Sequence, residues 1–320
     1  MARVFFWLVA AGLGLPALLL TVVRMADTDV GAMIRIESFT PLGIPLYAAL
    51  LVLTGFGAAL RSAGERSQPA TVAVLALAGL LLHSWWFAPQ VVGDNPAPAA
   101  GAPRITVMNT NLFAGLGDAD DVVDAVRRDH VDILVVEEIT PSELERLDAA
   151  GLAQLLPNRI GAPDRDVAGT MVFSNERMGE PALLATQFHS YRVEVGSLTL
   201  LAVHPVAPVL PDAWRRDHDL IRDEAVSVDA DLIVGDLNAT PDHDVMRELD
   251  DAGFRDAGEL ANEGWQPTWP ANNVGLFPLL PPLVRIDHVL LGSSLASLGT
   301  HTVDIGGTDH LALVATVARK

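Results

Sequence analysis

At 320 residues the chain is long enough for about two domains of ordinary size. Half of its residues are hydrophobic, 19% are charged and its mean hydropathy is +0.32, which excludes a disordered polymer. The formal charge of −19 belongs to the later part alone: residues 1–95 set five arginines against five acids, whereas residues 96–320 hold 16 basic and 35 acidic side chains. That balance repels polyanions and lacks the basic face of a nucleic-acid binder, so a phosphate substrate would need a cation beside it. With no cysteine, disulfides, thiolate nucleophiles and cysteine-ligated zinc are also removed.

From the N-terminus, residues 4–23, 41–60 and 69–92 each lack Asp, Glu, Lys and Arg for about the twenty residues that a bilayer requires, which predicts three transmembrane helices. A cleaved signal peptide is the alternative for the first, but its apolar core is too long and it runs into Arg24 and Met25 without a small-residue cleavage site. Arg3, Arg61, Arg66 and the N-terminal amine lie on one side of the three spans, and Arg24 and Arg35 on the other. The positive-inside rule then favours a cytoplasmic N-terminus and delivers everything after Val92 to the outside. Trp85, Trp86 and Phe87 fit an aromatic belt at the exit of the third span, and His83 within it reads as a helix-packing or interfacial residue. Residues 93–103, GDNPAPAAGAP, are an aperiodic linker. The expected organisation is a membrane region over 1–92, this linker, and a folded domain over 104–320.

Beyond the linker, short apolar strands are predicted over 105–108, 133–136, 170–173, 191–195, 198–203, 232–234, 286–290 and 312–317. Helices are predicted over 118–129, 142–150, 212–228 and 241–252, the last with Thr240 as N-cap and Pro241 in its first turn. The tight turn at Gly196-Ser197 argues against a purely parallel sheet, so an α/β sandwich of mixed sheets is expected. Nearly every strand ends in a residue suited to a hard cation or a phosphate: Asn109-Thr110-Asn111, Glu137-Glu138, His204, Asp236-Leu237-Asn238, Asp287-His288 and Asp309-His310. Two other Asp-His pairs, Asp217-His218 and Asp242-His243, read as surface helix residues.

The segments RITVMNTNLF, VDILVVEEI, GTMVFSN, LTLLAVHPV, IVGDLNATP, PTWP, RIDHVLLG and GTDHLALVA, taken in order over about residues 104–318, resemble the endonuclease/exonuclease/phosphatase superfamily, which includes DNase I-like nucleases, inositol polyphosphate 5-phosphatases and neutral sphingomyelinases. The resemblance implies a DNase I-like four-layered α/β sandwich. It implies that Asn111 and Glu138 hold a divalent ion, Mg2+ or Mn2+, with Asp309 a further carboxylate on the metal side. It further implies that Asp236 positions or deprotonates the attacking water, that Asn238 and His204 hold phosphate oxygens, and that Asp287 orients His310. Glu137 stands where relatives often carry Gln, which leaves Glu137 and Glu138 to be told apart; position favours Glu138. The residue types agree: oxygen ligands suit Mg2+ or Mn2+, and a carboxylate beside His raises the basicity of the imidazole and fixes its tautomer.

The resemblance leaves the substrate open among DNA, RNA, inositol phosphates and lipids. Arg159, Arg165, Arg177 and Arg192 read as scattered surface arginines, with a local basic rim as the alternative. The Pro-rich apolar run over residues 276–283 is either a loop packed on the sandwich or an element near the bilayer that helps a lipid-linked phosphate reach the metal. A layout similar to membrane-anchored relatives linked to teicoplanin resistance adds lipid-carrier pyrophosphate. The expectation is a membrane-anchored, metal-dependent phosphoesterase. A lipid phosphate or pyrophosphate phosphatase, and a catalytically silent scaffold or receptor, are the alternatives. The bilayer and a phosphate-ester substrate are its expected partners.

Overall fold

The computed structural model describes residues 1–62, 64–274 and 279–320, and the chain divides into two units, Met1–Pro89 and Gln90–Lys320. The first unit is helical: α1 (Ala2–Ala26), α2 (Gly31–Glu37), α3 (Gly43–Ala59) and α4 (Ser67–Phe87). Three helical runs, Ala2–Ala26, Thr40–Ala59 and Ser67–Gln90, are long and apolar enough to cross a membrane. Their outward faces are as apolar as their inward ones, with Phe5, Leu15, Val52, Phe56, Leu75 and Leu81 all exposed, which is the pattern of helices that face lipid rather than water. Small residues let the helices approach closely: Gly14 meets Leu50, and Gly79 lies against the Tyr47 ring. His83 is buried between them, with Nε2 3.0 Å from Thr21 Oγ1 and Nδ1 2.9 Å from the Thr40 carbonyl. It packs helices together, as the sequence suggests. The helix α2 is an addition to the expected three.

The second unit contains β1 (Ile105–Asn111), α5 (Ala119–Arg128), β2 (Ile133–Glu137), α6 (Pro141–Ala150), α7 (Leu152–Leu155), β3 (Asn158–Ala162), β4 (Thr170–Ser174), β5 (Ala182–Leu183), β6 (Tyr191–Val195) and β7 (Leu198–Ala202). It continues with α8 (Pro211–Ser227), β8 (Leu232–Asp236), α9 (Asp244–Asp251), β9 (Arg255–Asp256), α10 (Ala257–Ala261), β10 (Asp287–Leu291), β11 (Leu295–Val303) and β12 (Ala312–Arg319). Two six-stranded sheets result, ordered β11-β12-β1-β2-β4-β3 and β5-β6-β7-β8-β10-β9. Both are mixed, since β1–β2 and β7–β8 pair in parallel while β1–β12 and β8–β10 are antiparallel. This is the α/β DNase I-like fold that the resemblance implies.

Strand alternation decides what faces what. Val107, Ile133, Val135, Leu232, Val234, Val289 and Leu291 bury in one cluster between the sheets, while Met108, Leu134 and Val136 bury with Val122, Val126 and Leu147 of α5 and α6. Each such aliphatic side chain contributes roughly 1.5–3 kcal/mol on burial. The helices begin where the sequence allows: Asp118 accepts from Asp120 N and Asp121 N at the start of α5, and Thr140 accepts from Glu143 N at the start of α6.

Several expectations need correction. The helix predicted from Pro241 begins at Asp244, because Thr240 N donates to His243 Nδ1 and His243 N to the Thr240 carbonyl, closing a turn first. Asp217, His218 and His243 are buried rather than on the surface. His218 Nδ1 donates to the Trp214 carbonyl, and Asp217 accepts from Gln187 N and Val206 N. The strands β3, β5, β9 and β11 were not anticipated. The third apolar helical run stops at Gln90, and the segment after it is tied to its own unit: Gly264 N donates to the Gln90 carbonyl, Gly93 N to Asn262 Oδ1 and Ala99 N to the Arg319 carbonyl. Arg159 and Arg192 are engaged by Asp148 and Glu224, which removes half of the possible basic rim. Residues 276–278 of the Pro-rich run lie outside the described residues; of the rest, Leu279 is exposed and Leu283 N donates to the Trp269 carbonyl.

Candidate functional site

The same alternation that buries valines and leucines between the sheets places Asn109, Asn111, Glu137, Asp236 and Asp287 in register with them, at the strand ends. Val107 precedes Asn109 by two residues, Val135 precedes Glu137 and Val234 precedes Asp236, so the apolar inter-sheet layer terminates in a polar one. Strands β8 and β10 pair so that Asp236 and Asp287 lie opposite each other. Glu138 leaves the strand with φ 53° and Asn238 with φ 49°. Both are left-handed conformations that non-glycine residues seldom adopt and that gather at functional sites.

The eight residues expected at the site converge. Asp287 has both oxygens engaged, Oδ1 accepting from Asn109 Nδ2 at 3.1 Å and Oδ2 from His310 Nδ1 at 2.9 Å. His310 Nε2 therefore points away from Asp287 and lies 3.8 Å from Asp236 Oδ2 and 3.9 Å from Asp309 Oδ1. His204 Nε2 is also 3.8 Å from Asp236 Oδ2. Asn111 Nδ2 donates to Asp236 Oδ2 at 3.0 Å and to Glu138 Oε1 at 3.3 Å, standing between the two carboxylates. Glu138 Oε2 accepts from Ala114 N at 2.7 Å. Asn238 N donates to Asp236 Oδ1, and its side-chain amide holds the Pro205 carbonyl, which fixes the loop after His204.

Electrostatics separate these groups. Burial alone would lower His310, but the Asp287 carboxylate and its hydrogen bond, aided by Asp236 and Asp309, push its pKa up to about 10, so the ring is a cation at neutral pH. Burial lowers His204 to about 3, with the His310 charge acting in the same direction, so that ring is neutral. Burial raises Asp236 even though His310 attracts its charged form, and Asp287 adds to the rise. Glu138 is raised by burial, with His310 and Asn111 opposing. Glu137 is raised well above the usual carboxylate range by burial, then by Asp287 and Asp236, and neither of its oxygens has a hydrogen-bond partner.

Asp236, Asp287 and His310 can bring one ligand atom each within 4.8 Å of one another. Since Asn109 and His310 already occupy Asp287, this trio reads better as a hydrogen-bonded Asp-His pair facing Asp236. Among the described residues Asp309 Oδ1 is buried without a hydrogen-bond partner, while its Oδ2 accepts from Trp269 Nε1 at 3.0 Å. Asp309 Oδ1 is thus the open oxygen beside Glu138, whose carboxylate accepts from Asn111 Nδ2 and Ala114 N, while Asn111 Oδ1 accepts from Phe113 N.

The structure adds Trp269 and Phe188 to the site and gives Asn109 and His288, already among the polar strand ends, their particular partners. Asn109 shares the face of Asn111, a relation visible in their spacing of two. Trp269, in PTWP, and Phe188, whose ring lies 4.8 Å from that of His204, come from distant loops that no local pattern could place. His288 points to the opposite face from Asp287 and clamps the site from behind, Nδ1 to Asp256 Oδ2 at 2.8 Å and Nε2 to the Ala239 carbonyl at 2.9 Å. Although burial opposes it, Arg285 and His288 hold Asp256 well below the usual carboxylate range.

Residues 108–310 match the family model described as the Endonuclease/Exonuclease/phosphatase family. Among solved structures, the chain is similar to an AP endonuclease from Archaeoglobus fulgidus, with 13% identity, a TM-score of 0.55, and 66% of this chain and 98% of that one covered. It is also similar to D. rerio TDP2 complexed with a single-strand DNA product (13% identity, TM-score 0.53, 67% and 98% covered). An endonuclease/exonuclease/phosphatase from Beutenbergia cavernae is a third relative in fold (15%, 0.51, 68% and 72%). No curated protein sequence matches the chain. At these identities the likeness is one of fold.

Proposed function

The chain belongs to the Endonuclease/Exonuclease/phosphatase family, and on that premise we propose that it is a metal-dependent phosphoric ester hydrolase held in a membrane by its three apolar helices. The observation that carries the reading is the cationic His310, oriented by Asp287 and facing Asp236 across 3.8 Å. Together they supply an acid and a base within reach of one reacting phosphorus.

The donor set fits a hard divalent cation such as Mg2+ or Mn2+. Glu138 and Asp309 offer carboxylate oxygens, Asp309 Oδ1 is buried with no hydrogen-bond partner among the described residues, and the Asn111 amide steadies Glu138 while its own oxygen accepts from Phe113 N. Bound by those residues, the ion would neutralise charge on the phosphate oxygens. The chain's own groups do the rest. Asp236, lifted by burial toward neutral pH, accepts the proton that water loses as its oxygen bonds to phosphorus. His310 Nε2, protonated and held by Asp287, donates to the oxygen on which charge develops. As the ester P–O bond breaks, the departing oxygen takes up a proton from solvent water, and Asp236 returns the proton it accepted to solvent. Neutral His204 and the Asn238 amide contact the remaining phosphate oxygens.

Similarity in fold to an AP endonuclease and to a DNA-product complex supports a phosphodiester substrate. A lipid phosphate or pyrophosphate is the second reading, favoured by the three apolar helices and by a net charge that repels polyanions. The arginine balance supports an extracytoplasmic catalytic domain. A reporter fused after Lys320 that works only in the cytoplasm, and does work, would reverse that orientation.

The test takes the full chain in mild detergent with Mg2+ or Mn2+ against DNA, RNA, bis-p-nitrophenyl phosphate, inositol phosphates and a polyprenyl pyrophosphate. Chelator and the variants Asp236→Ala and His310→Ala serve as controls. Metal-dependent turnover that falls by about 10²- to 10⁴-fold in either variant is expected. No metal-dependent turnover on any substrate would leave the silent scaffold.

A further inference from the structure

Within the first unit, a cavity of about 700 Å³ opens where the N-termini of α1 and α4 and the C-terminus of α3 come together. Its lining includes Arg3, Phe6, Trp7, Phe56, Arg61 and Gln68. The guanidinium of Arg61 lies over the Phe6 ring at 4.2 Å and donates from Nη1 to the Gly57 carbonyl at 2.9 Å, so the side chain is held in place with donors to spare. Among the described residues neither Arg3 nor Arg61 is paired with an acid. The one acid in the lining, Glu65, accepts from Ser62 instead. Arg66 stands at the N-cap of α4, and neither α1 nor α4 carries an acid in its first turn. The cavity therefore combines two unneutralised cations, uncapped helix starts and aromatic walls at the end of apolar helices.

We propose that this cavity is a binding site for an anionic phospholipid, its headgroup phosphate held by Arg3 and Arg61 and its glycerol and upper acyl carbons lying along Phe6 and Phe56. The inference rests on the membrane-spanning reading of the helices. Charge complementarity selects the occupant: a zwitterionic headgroup would bring a quaternary ammonium toward two guanidiniums, whereas a phosphatidylglycerol brings only negative charge. Basic recesses between spanning helices hold anionic headgroups for this reason, and a volume of this size accommodates a glycerophosphate with room for the chain stems.

Full-length protein would be tested in two measurements. First, flotation with phosphatidylcholine vesicles reads anchoring alone. Failure to float with any vesicle would overturn the membrane reading and this site with it. Second, native mass spectrometry of the detergent-solubilised chain, titrated with phosphatidylglycerol or phosphatidylcholine, reads the site. The expected result is preferential retention of phosphatidylglycerol, lowered about tenfold or more in apparent affinity in the double variant Arg3→Gln/Arg61→Gln. The variant Arg35→Gln, at the other end of the bundle, should retain it, and millimolar glycerol phosphate should not displace it. The helical circular dichroism of the double variant confirms that its helices form, and flotation of that variant with phosphatidylcholine shows that anchoring survives. Equal retention of both lipids, undiminished retention in the double variant, or displacement by glycerol phosphate, which would mark a soluble-phosphate site, overturns the proposal.

Discussion

Asp287 reaches its two partners from the end of β10, and its position explains why His310 is a cation while His204, in the same pocket, is not. Replacing Asp287 by Asn removes the charge and presents one donor where the imidazole needs an acceptor. The turnover of a small diester by Asp287→Asn should fall by about 10²- to 10⁴-fold, with the metal concentration for half-maximal rate changed by less than about threefold. A large rise in that concentration instead would make Asp287 a ligand. His218, away from the reacting groups, supports a pH prediction. Burial lowers its pKa to about 4, so the folded state prefers the neutral ring. The unfolded chain takes up the proton near pH 6.5, hence the stability is fully present above pH 6.5 and is lost as the pH falls toward 4. A displacement of this size is worth on the order of 3 kcal/mol. Thermal unfolding of metal-free protein across that window should therefore show a slope that His218→Gln flattens.

The element that shapes the pocket wall is α8. Its buried Asp217 accepts from Gln187 N and Val206 N, tying together the turn before β6 and the turn that follows His204. With Asp217→Asn one oxygen becomes a donor facing backbone N–H groups, which should cost about 1–3 kcal/mol and lower the unfolding temperature by several degrees, measured by differential scanning calorimetry. Turnover should fall as well, because His204 loses its support. Nothing in the sequence around Asp217 signals this, since an acid on an amphipathic helix looks solvated until the loops it serves are in place. By contrast, the strands that carry the site are legible as short apolar runs that meet a polar residue at one end; both of their faces bury, so it is the packing of the sheets that puts Asn111, Glu137, Asp236 and Asp287 in phase with Val107, Val135, Val234 and Val289. The strands outside the predicted set lack such a run. Asn158–Ala162 offers one strong apolar residue, Leu295–Val303 shifts register between Ser297 and Gly299, and β5 and β9 are two residues long. The start of α9 was misread because Thr240-Pro241 is a good helix opening, and only the His243 side chain, folding back onto Thr240 N, makes it a turn.

Across the whole molecule, charge and hydropathy divide sharply between the two units. All of the −19 lies beyond residue 95, and among the described residues the three helices long and apolar enough to cross a membrane lie before residue 91. An acidic second unit repels a polyanion at low ionic strength, and salt screens that repulsion over about 10 Å at 0.1 M. If oligonucleotides are substrates, the second-order rate for a single-stranded oligonucleotide should therefore rise a few-fold between about 20 and 200 mM salt, while that for bis-p-nitrophenyl phosphate stays within about twofold. A rate for the oligonucleotide that falls with salt would reveal a local cationic track that Arg165 and Arg177 could supply. The segment after Gln90 bears on how the second unit can be isolated. Because Gln90, Gly93 and Ala99 are sewn to Gly264, Asn262 and Arg319, a water-soluble version begun at Arg104 would lack three hydrogen bonds, two between backbones and one to the Asn262 side chain, and leave the last strand's carbonyl bare. Trimming the polypeptide just upstream of Gln90 keeps that seam closed.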